Sequence, residues 1–182
     1  MSTIDIQELL MGNICAASNW VGNCHDSAVI CLEEQGHSVG VSFKVAGTKS
    51  VDFQLKWSSL NQAVKPHYYD DEAATEHGAY GIAILLQHKI SNYGFLGRSK
   101  KGKGFDLYFA PMENAQVATE DQNWLASATD CTEVSGIREG DGATIRRRML
   151  IKSKQVSNAP GITRHVVIVC FQQPAATLKL VV

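Results

Sequence analysis

Several absences narrow the class of this chain before any motif is considered. Only four prolines occur among 182 residues, and there is no low-complexity tract, which excludes a long disordered region. No apolar run is long enough to cross a bilayer. The N-terminal stretch MSTIDIQELLMGN lacks the basic start and the long apolar segment of a secretory signal, so the expected location is the cytoplasm and no membrane partner is expected. The five cysteines (Cys15, Cys24, Cys31, Cys131 and Cys170) are odd in number and form no CxxC. That argues against a disulfide framework or a zinc site, and Cys31 and Cys170 sit in apolar runs, as buried thiols do. There is no GxxxxGK[ST] phosphate loop, no GxSxG elbow, no convincing Cys/His pairing and no internal repeat.

Net charge is also nearly absent, at −1, so bulk charge does not announce a nucleic-acid partner. Its distribution is more informative. Arg98, Lys100, Lys101 and Lys103 form one basic cluster, and Arg138, Arg146, Arg147, Arg148, Lys152 and Lys154 form another; together they hold ten of the 17 Lys and Arg residues. A local basic surface of this kind suits phosphate binding, and two solvated faces are the plain alternative. With 45% hydrophobic and 19% charged residues, the chain has material for a real core, and its length suggests one compact domain.

Hydrophobic spacing divides the chain into elements. A short helix is expected over 4–18, with Ile4, Ile6, Leu9, Leu10 and Ile14 as its stripe, followed by a loop over 19–26. Strands are expected at 27–33, 38–45 and 51–57, making an antiparallel meander in which Val51, Phe53, Leu55 and Trp57 share a face. After an irregular stretch, Asp70 or Asp71 caps a helix running to about His88. Its middle, AYGIAILL, is apolar nearly all round, and Gly78 and Gly81 permit close packing. The rest reads as strand 93–98, basic turn 99–103, strand 104–110, a polar excursion over 114–123, a strand within 125–137, helix 143–157, a break at 158–163 and strand 164–171. An edge strand is expected at 177–182. The fold class is therefore α/β (α+β), with 1–69 as an N-terminal helix and meander extension and 70–182 as the core.

Two carboxylates interrupt apolar strands: Asp106 in GFDLYFA and Glu133 in TDCTEVS. Acidic side chains on neighbouring strands can meet at one edge of a sheet and hold a divalent ion beside a phosphate. Because strand side chains alternate, Glu133 and Ser135 point the same way. The order helix, three strands, helix, strand, with GFD on the second strand and EVS on the third, resembles the PD-(D/E)XK nuclease superfamily over residues 70–173. The blocks TEHGAYGIAILL, RSKKGKGFD and TEVSGI are also similar to uncharacterised prokaryotic proteins with the same block order.

The resemblance implies a restriction-endonuclease-like core α-β-β-β-α-β and Mg²⁺- or Mn²⁺-dependent cleavage of nucleic acid. Asp106 and Glu133 would be metal ligands, and Glu76 would match an acidic residue of the first core helix. Phe105 replaces the motif proline, and Ser135 stands where the motif lysine belongs. Lys152 or Lys154 from the following helix would supply that cation, and Gln155 matches a helix glutamine of RecB-like exonucleases. Arg98, Lys100, Lys101, Lys103, Arg146, Arg147 and Arg148 would contact the phosphate backbone.

Structural alternatives stand beside these roles. Asp106 beside Gly104 could end or bulge a strand, Glu133 could pair with Arg146 or Arg148, and Glu76 could serve only its helix N-terminus. Lys152 and Lys154 could be solvated, and His77 could be an ordinary histidine. GRSKKGKG could be a hairpin turn rather than a phosphate cradle. The rival function is a nuclease-fold module whose site has decayed at Ser135, serving in nucleic-acid binding or in homodimer assembly through the edges of VDFQLKW and TLKLVV.

Overall fold

A computed structural model describes residues 2–14, 18–118, 123–156 and 161–181. The run SAVICLE, expected as a strand, is helical. Ser18 is extended, and its hydroxyl accepts the Val21 N–H at 3.2 Å, starting helix α1 (Asn19–Glu34). The expected loop over 19–26 is the first half of this helix. Gly36 at φ +75° turns the chain away after it. The error has a physical origin. Val21, Cys24, Ala28, Val29, Ile30, Cys31 and Leu32 are all buried, and a segment covered on nearly every side carries no periodicity to separate helix from strand.

The expected helix over 4–18 is likewise absent in its first part. Ser2–Asp5 form strand β1, and Ile6–Leu10 form a 3₁₀ turn whose start is capped by Asp5, which accepts the Gln7 N–H at 3.0 Å. Residues 15–17, including Cys15, lie outside the described residues. Strands β2 (Ser42–Gly47) and β3 (Val51–Lys56) form the antiparallel hairpin read from the alternation, with Phe43, Val45, Phe53 and Leu55 buried. β1 then joins β3 in parallel, so the expected three-strand antiparallel meander is not formed.

Helix α2 (Asp71–Ser91) begins where Asp70 accepts the N–H groups of Glu72 and Ala73, and ends at Asn92 in the left-handed region. It is buried nearly all round, as its composition requires. Gly78 and Gly81 face α1, and Gly78 also meets the ring of Phe171, the residue that follows Cys170. A Cβ at Gly78 would lie 3.0 Å from the Ala28 nitrogen, and one at Gly81 3.0 Å from the Cys24 carbonyl.

Strands β4 (Tyr93–Arg98), β5 (Leu107–Pro111) and β6 (Asp130–Ile137) follow as an antiparallel set. The polar stretch between β5 and β6 carries helix α3 (Met112–Ala118), and its residues 119–122 lie outside the described ones. Helix α4 (Gly142–Val156) then crosses to β7 (Thr163–Cys170), parallel to β6. Residues 158–160 of the expected break at 158–163 are outside the described set, and Thr163 already belongs to β7.

β8 (Ala175–Val181) is not an edge strand. It pairs antiparallel with β7 and parallel with β2, in a single eight-stranded sheet of order β1-β3-β2-β8-β7-β6-β5-β4. β3 is also interior, so neither VDFQLKW nor TLKLVV offers the free edge expected for a dimer. The physical reason is that β8 supplies the partner each half of the chain would otherwise lack. α2 covers one face over Leu107, Phe109, Val134 and Val167, while α4 covers the other through Met149 and Val156 against Phe105, Cys131, Val166 and Ile168. Among the described residues the architecture is mixed α/β, with four α-helices and an eight-stranded sheet. No described helix is long and apolar enough to cross a membrane. Cys24, Cys31, Cys131 and Cys170 are buried and none forms a disulfide among the described residues.

Candidate functional site

Alternation along β6 sorts its side chains between the two faces. Thr132 and Gly136 turn toward α2: Gln87 donates to the Thr132 hydroxyl at 2.9 Å, and a Cβ at Gly136 would lie 2.4 Å from the Thr75 carbonyl oxygen. Glu133 and Ser135 turn toward α4, where Lys152 donates to Glu133 Oε1 and Arg148 donates to Ser135 Oγ at 3.3 Å. The structural alternative, an ion pair of Glu133 with Arg146 or Arg148, is not formed among the described residues; Glu133 pairs with Lys152.

Asp106 reaches the same place from the next strand. It precedes the regular part of β5, yet the ladder holds it: its N–H donates to the Thr132 carbonyl at 3.0 Å, and its carbonyl accepts from Ser99 at 2.7 Å. Gly104 at φ +82° brings the chain back from the basic turn into this ladder. Asp106 Oδ2 accepts the Val134 N–H at 2.8 Å, which places its carboxyl alongside Glu133. Two acids distant in sequence are thus brought to one position by strand pairing.

The electrostatics follow from burial. Glu133 is 1% exposed. Desolvation first, and the charge of Asp106 second, push its carboxyl up to about 7 against the pull of Lys152. Burial also raises Asp106, opposed by the Val134 N–H and by Lys152. Among the described residues no group donates to the buried Glu133 Oε2, while the Asp106 carboxyl lies within hydrogen-bond reach of Glu133. A buried carboxylate oxygen with no donor is costly to leave alone.

The pair opens into a cavity of about 590 Å³, also lined by Glu76, Tyr80, Arg98, Lys100, Lys101 and Gln155. Tyr80 donates to Glu76 Oε1 at 2.7 Å, and burial together with the charges of Asp106 and Glu76 raises its phenol. Arg98 lies over the rings of Trp20 and Tyr80, at 5.0 and 5.9 Å from their centroids, so its guanidinium is held at the cavity by cation–π contact. A second cavity of about 510 Å³ lies beside it, lined by Ser135, Arg148, Lys152 and Glu76 among others.

Not every expected residue is gathered. Lys103 is exposed on the basic turn, and Arg146, Arg147 and Lys154 are exposed on α4; none of the four lines either cavity. His77 donates through Nδ1 to the Ala73 carbonyl at 2.8 Å, the ordinary histidine role. Sequence reasoning missed Tyr80 and Trp20. Tyr80 was hidden in an apolar run, although its i+4 spacing from Glu76 was a usable signal. Trp20 carried no signal, because it lies on a segment expected to be a loop.

Oxygen donors of this kind suit a hard divalent cation. Asp106 and Glu133 fit such an ion through the Glu133 Oε2 that receives no donor among the described residues and through the charge the two neighbouring acids have to share. Glu76 is engaged by Tyr80, and no three His, Cys, Asp or Glu side chains converge as a metal-holding group among the described residues. Any ion here would rest on two protein carboxylates, with its other positions open. No protein-family model matches the chain, and comparison with curated proteins and with solved structures returns no match.

Proposed function

We propose that the protein is a metal-dependent phosphodiesterase acting on nucleic acid, built on a restriction-endonuclease-like core of the PD-(D/E)XK type. One observation carries this reading: Lys152 Nζ sits on Glu133, on the face and at the position where Asp106 arrives from the neighbouring strand. The lysine missing at Ser135 is thereby replaced by one from α4, which favours a working site over a decayed module. The order α2, β4, β5, β6, α4, β7, with α3 inserted between β5 and β6, supports the same reading.

Asp106 and Glu133 would hold Mg²⁺ or Mn²⁺, which when bound supplies charge stabilisation at the scissile phosphate. Without it, burial and the neighbouring Asp106 charge hold the Glu133 carboxyl up at about 7, so it is only partly ionised near neutral pH. Lys152 favours the ionised form of Glu133 and presents its remaining ammonium protons to the reacting water or phosphate. Arg98, Lys100 and Lys101 hold neighbouring phosphates without reading sequence.

The test is cleavage of single- and double-stranded DNA and RNA in Mn²⁺ by the purified protein. Asp106→Ala, Glu133→Ala and Lys152→Ala are each expected to lower the rate by roughly 100-fold or more. Activity of native magnitude in the Asp106→Ala and Glu133→Ala variants would remove these residues from the mechanism.

A further inference from the structure

Arg148, Lys152 and Gln155 stand at i, i+4 and i+7 of α4, which places them in one row along the helix. The row spans about 10 Å at the helical rise. Its ends belong to different cavities: Arg148 lines the second, Gln155 lines the first, and Lys152 sits between them on Glu133. The two clefts therefore flank the carboxylates on either side.

The charges of the second cleft are not equally committed. Arg138 is bound to Glu34 and Asp71, and Lys152 is bound to Glu133. Arg148 donates only to the neutral hydroxyl of Ser135 and makes no salt bridge among the described residues. A guanidinium has five donors in a fixed fork suited to bidentate phosphate binding. Ser135 orients that fork without neutralising it, whereas a lysine at the same position would face Arg148 as a like charge. The opposite wall, with Glu72 and Glu76 from α2, repels phosphate and would press a strand against α4.

We propose that Arg148, oriented by Ser135, is a phosphate-binding residue on the far side of Lys152 from Arg98, Lys100 and Lys101, so that the site takes a polynucleotide strand running through it and cuts internally. This rests on the nuclease reading for the cut, while the binding of phosphate by Arg148 can be measured without it.

The experiment is fluorescence anisotropy with a labelled single-stranded oligodeoxynucleotide in EDTA over a salt series. Arg148→Ala is expected to weaken binding several-fold and to reduce the slope of log affinity against log salt by about 0.7. Arg148→Lys should keep the slope. Lys179→Ala, which removes the same charge from β8 two strands away from β6, should keep both the affinity and the slope. Arg148 is exposed, so its variants should melt as the native protein does.

In Mn²⁺, Arg148→Ala should slow oligonucleotide cleavage by about tenfold, a larger loss than for bis(p-nitrophenyl) phosphate, which has no flanking phosphate. Circular single-stranded DNA should be cut as readily as linear. An unchanged salt slope in Arg148→Ala would overturn the subsite even if Asp106-dependent cleavage persists. Cleavage confined to linear strands would overturn the through-running path. A reduced slope with no cleavage of any substrate by the native protein would instead overturn the nuclease reading and internal cutting, leaving the phosphate subsite in place.

Discussion

Glu133 is the residue on which burial and the proposed metal-binding role pull in opposite directions. Its carboxyl titrates near 7 in the folded protein against an ordinary value of 4.5. The folded state therefore binds this proton more tightly than the unfolded chain does. The stability it contributes is complete below about pH 4.5 and is lost as pH rises through 7. Glu133→Gln removes the titration. The melting temperature of the variant relative to the native protein is expected to rise between pH 5 and pH 8 in metal-free buffer. A difference that stays constant across that range would show that the carboxyl is not held in the raised state. Asp106 and Glu133 were legible in the sequence because a charged residue inside an apolar strand is conspicuous. Which of Lys152 and Lys154 would face them depended on where α4 sits over β6. That placement is set by Met149 and Val156 packing on Val166 and Ile168, a tertiary fact with no local signature.

At the scale of elements, the close approach of α2 to β6 sets how near Glu76 and Tyr80 come to the carboxylates. Gly136 makes this approach possible, since a Cβ there would stand 2.4 Å from the Thr75 carbonyl oxygen and 2.7 Å from Thr75 Cγ2. Gly136→Ala is expected to destabilise the fold by about 1–3 kcal/mol through overpacking, and to lower cleavage further by moving Glu76. Chemical denaturation with activity measured in parallel checks this; a variant of native stability and rate would refute the contact. The elements around the site from α2 through β7, α3 apart, were readable because their amphipathic or all-apolar patterns were bounded by clear turns such as SKKGK and REGDG. α1 was not, because its buried surface has the composition of an interior strand and its first turn, NWVGN, has that of a loop. β8 was misplaced for a different reason. Sequence indicates that TLKLVV is a strand, but not that Val45 and Ala176 lie opposite each other in a parallel pairing.

At the scale of the molecule, that parallel pairing joins both ends of the chain into one sheet. Residues 1–69 supply β1, β2 and β3 beyond β8, and α1 covers α2 through Ala28 and Cys24. A fragment of 70–182 would expose the face of α2 that carries Gly78 and Gly81, and would leave β8 as a bare edge. It is expected not to unfold cooperatively in calorimetry, and a sharp native-like transition in that fragment would contradict the role assigned to the N-terminal segment. The whole structure brings two carboxylates and one ammonium together beside a cleft lined by Arg98, Lys100 and Lys101, and ion binding tests that arrangement before any substrate is chosen. Calorimetric titration of the intact protein with Mn²⁺ at pH 7.5 is expected to give one site. That site should be lost in Asp106→Asn, and its affinity should weaken as pH falls below 7, because Glu133 must give up its proton. Absence of binding in the native protein, or equal binding in Asp106→Asn, would contradict the assignment.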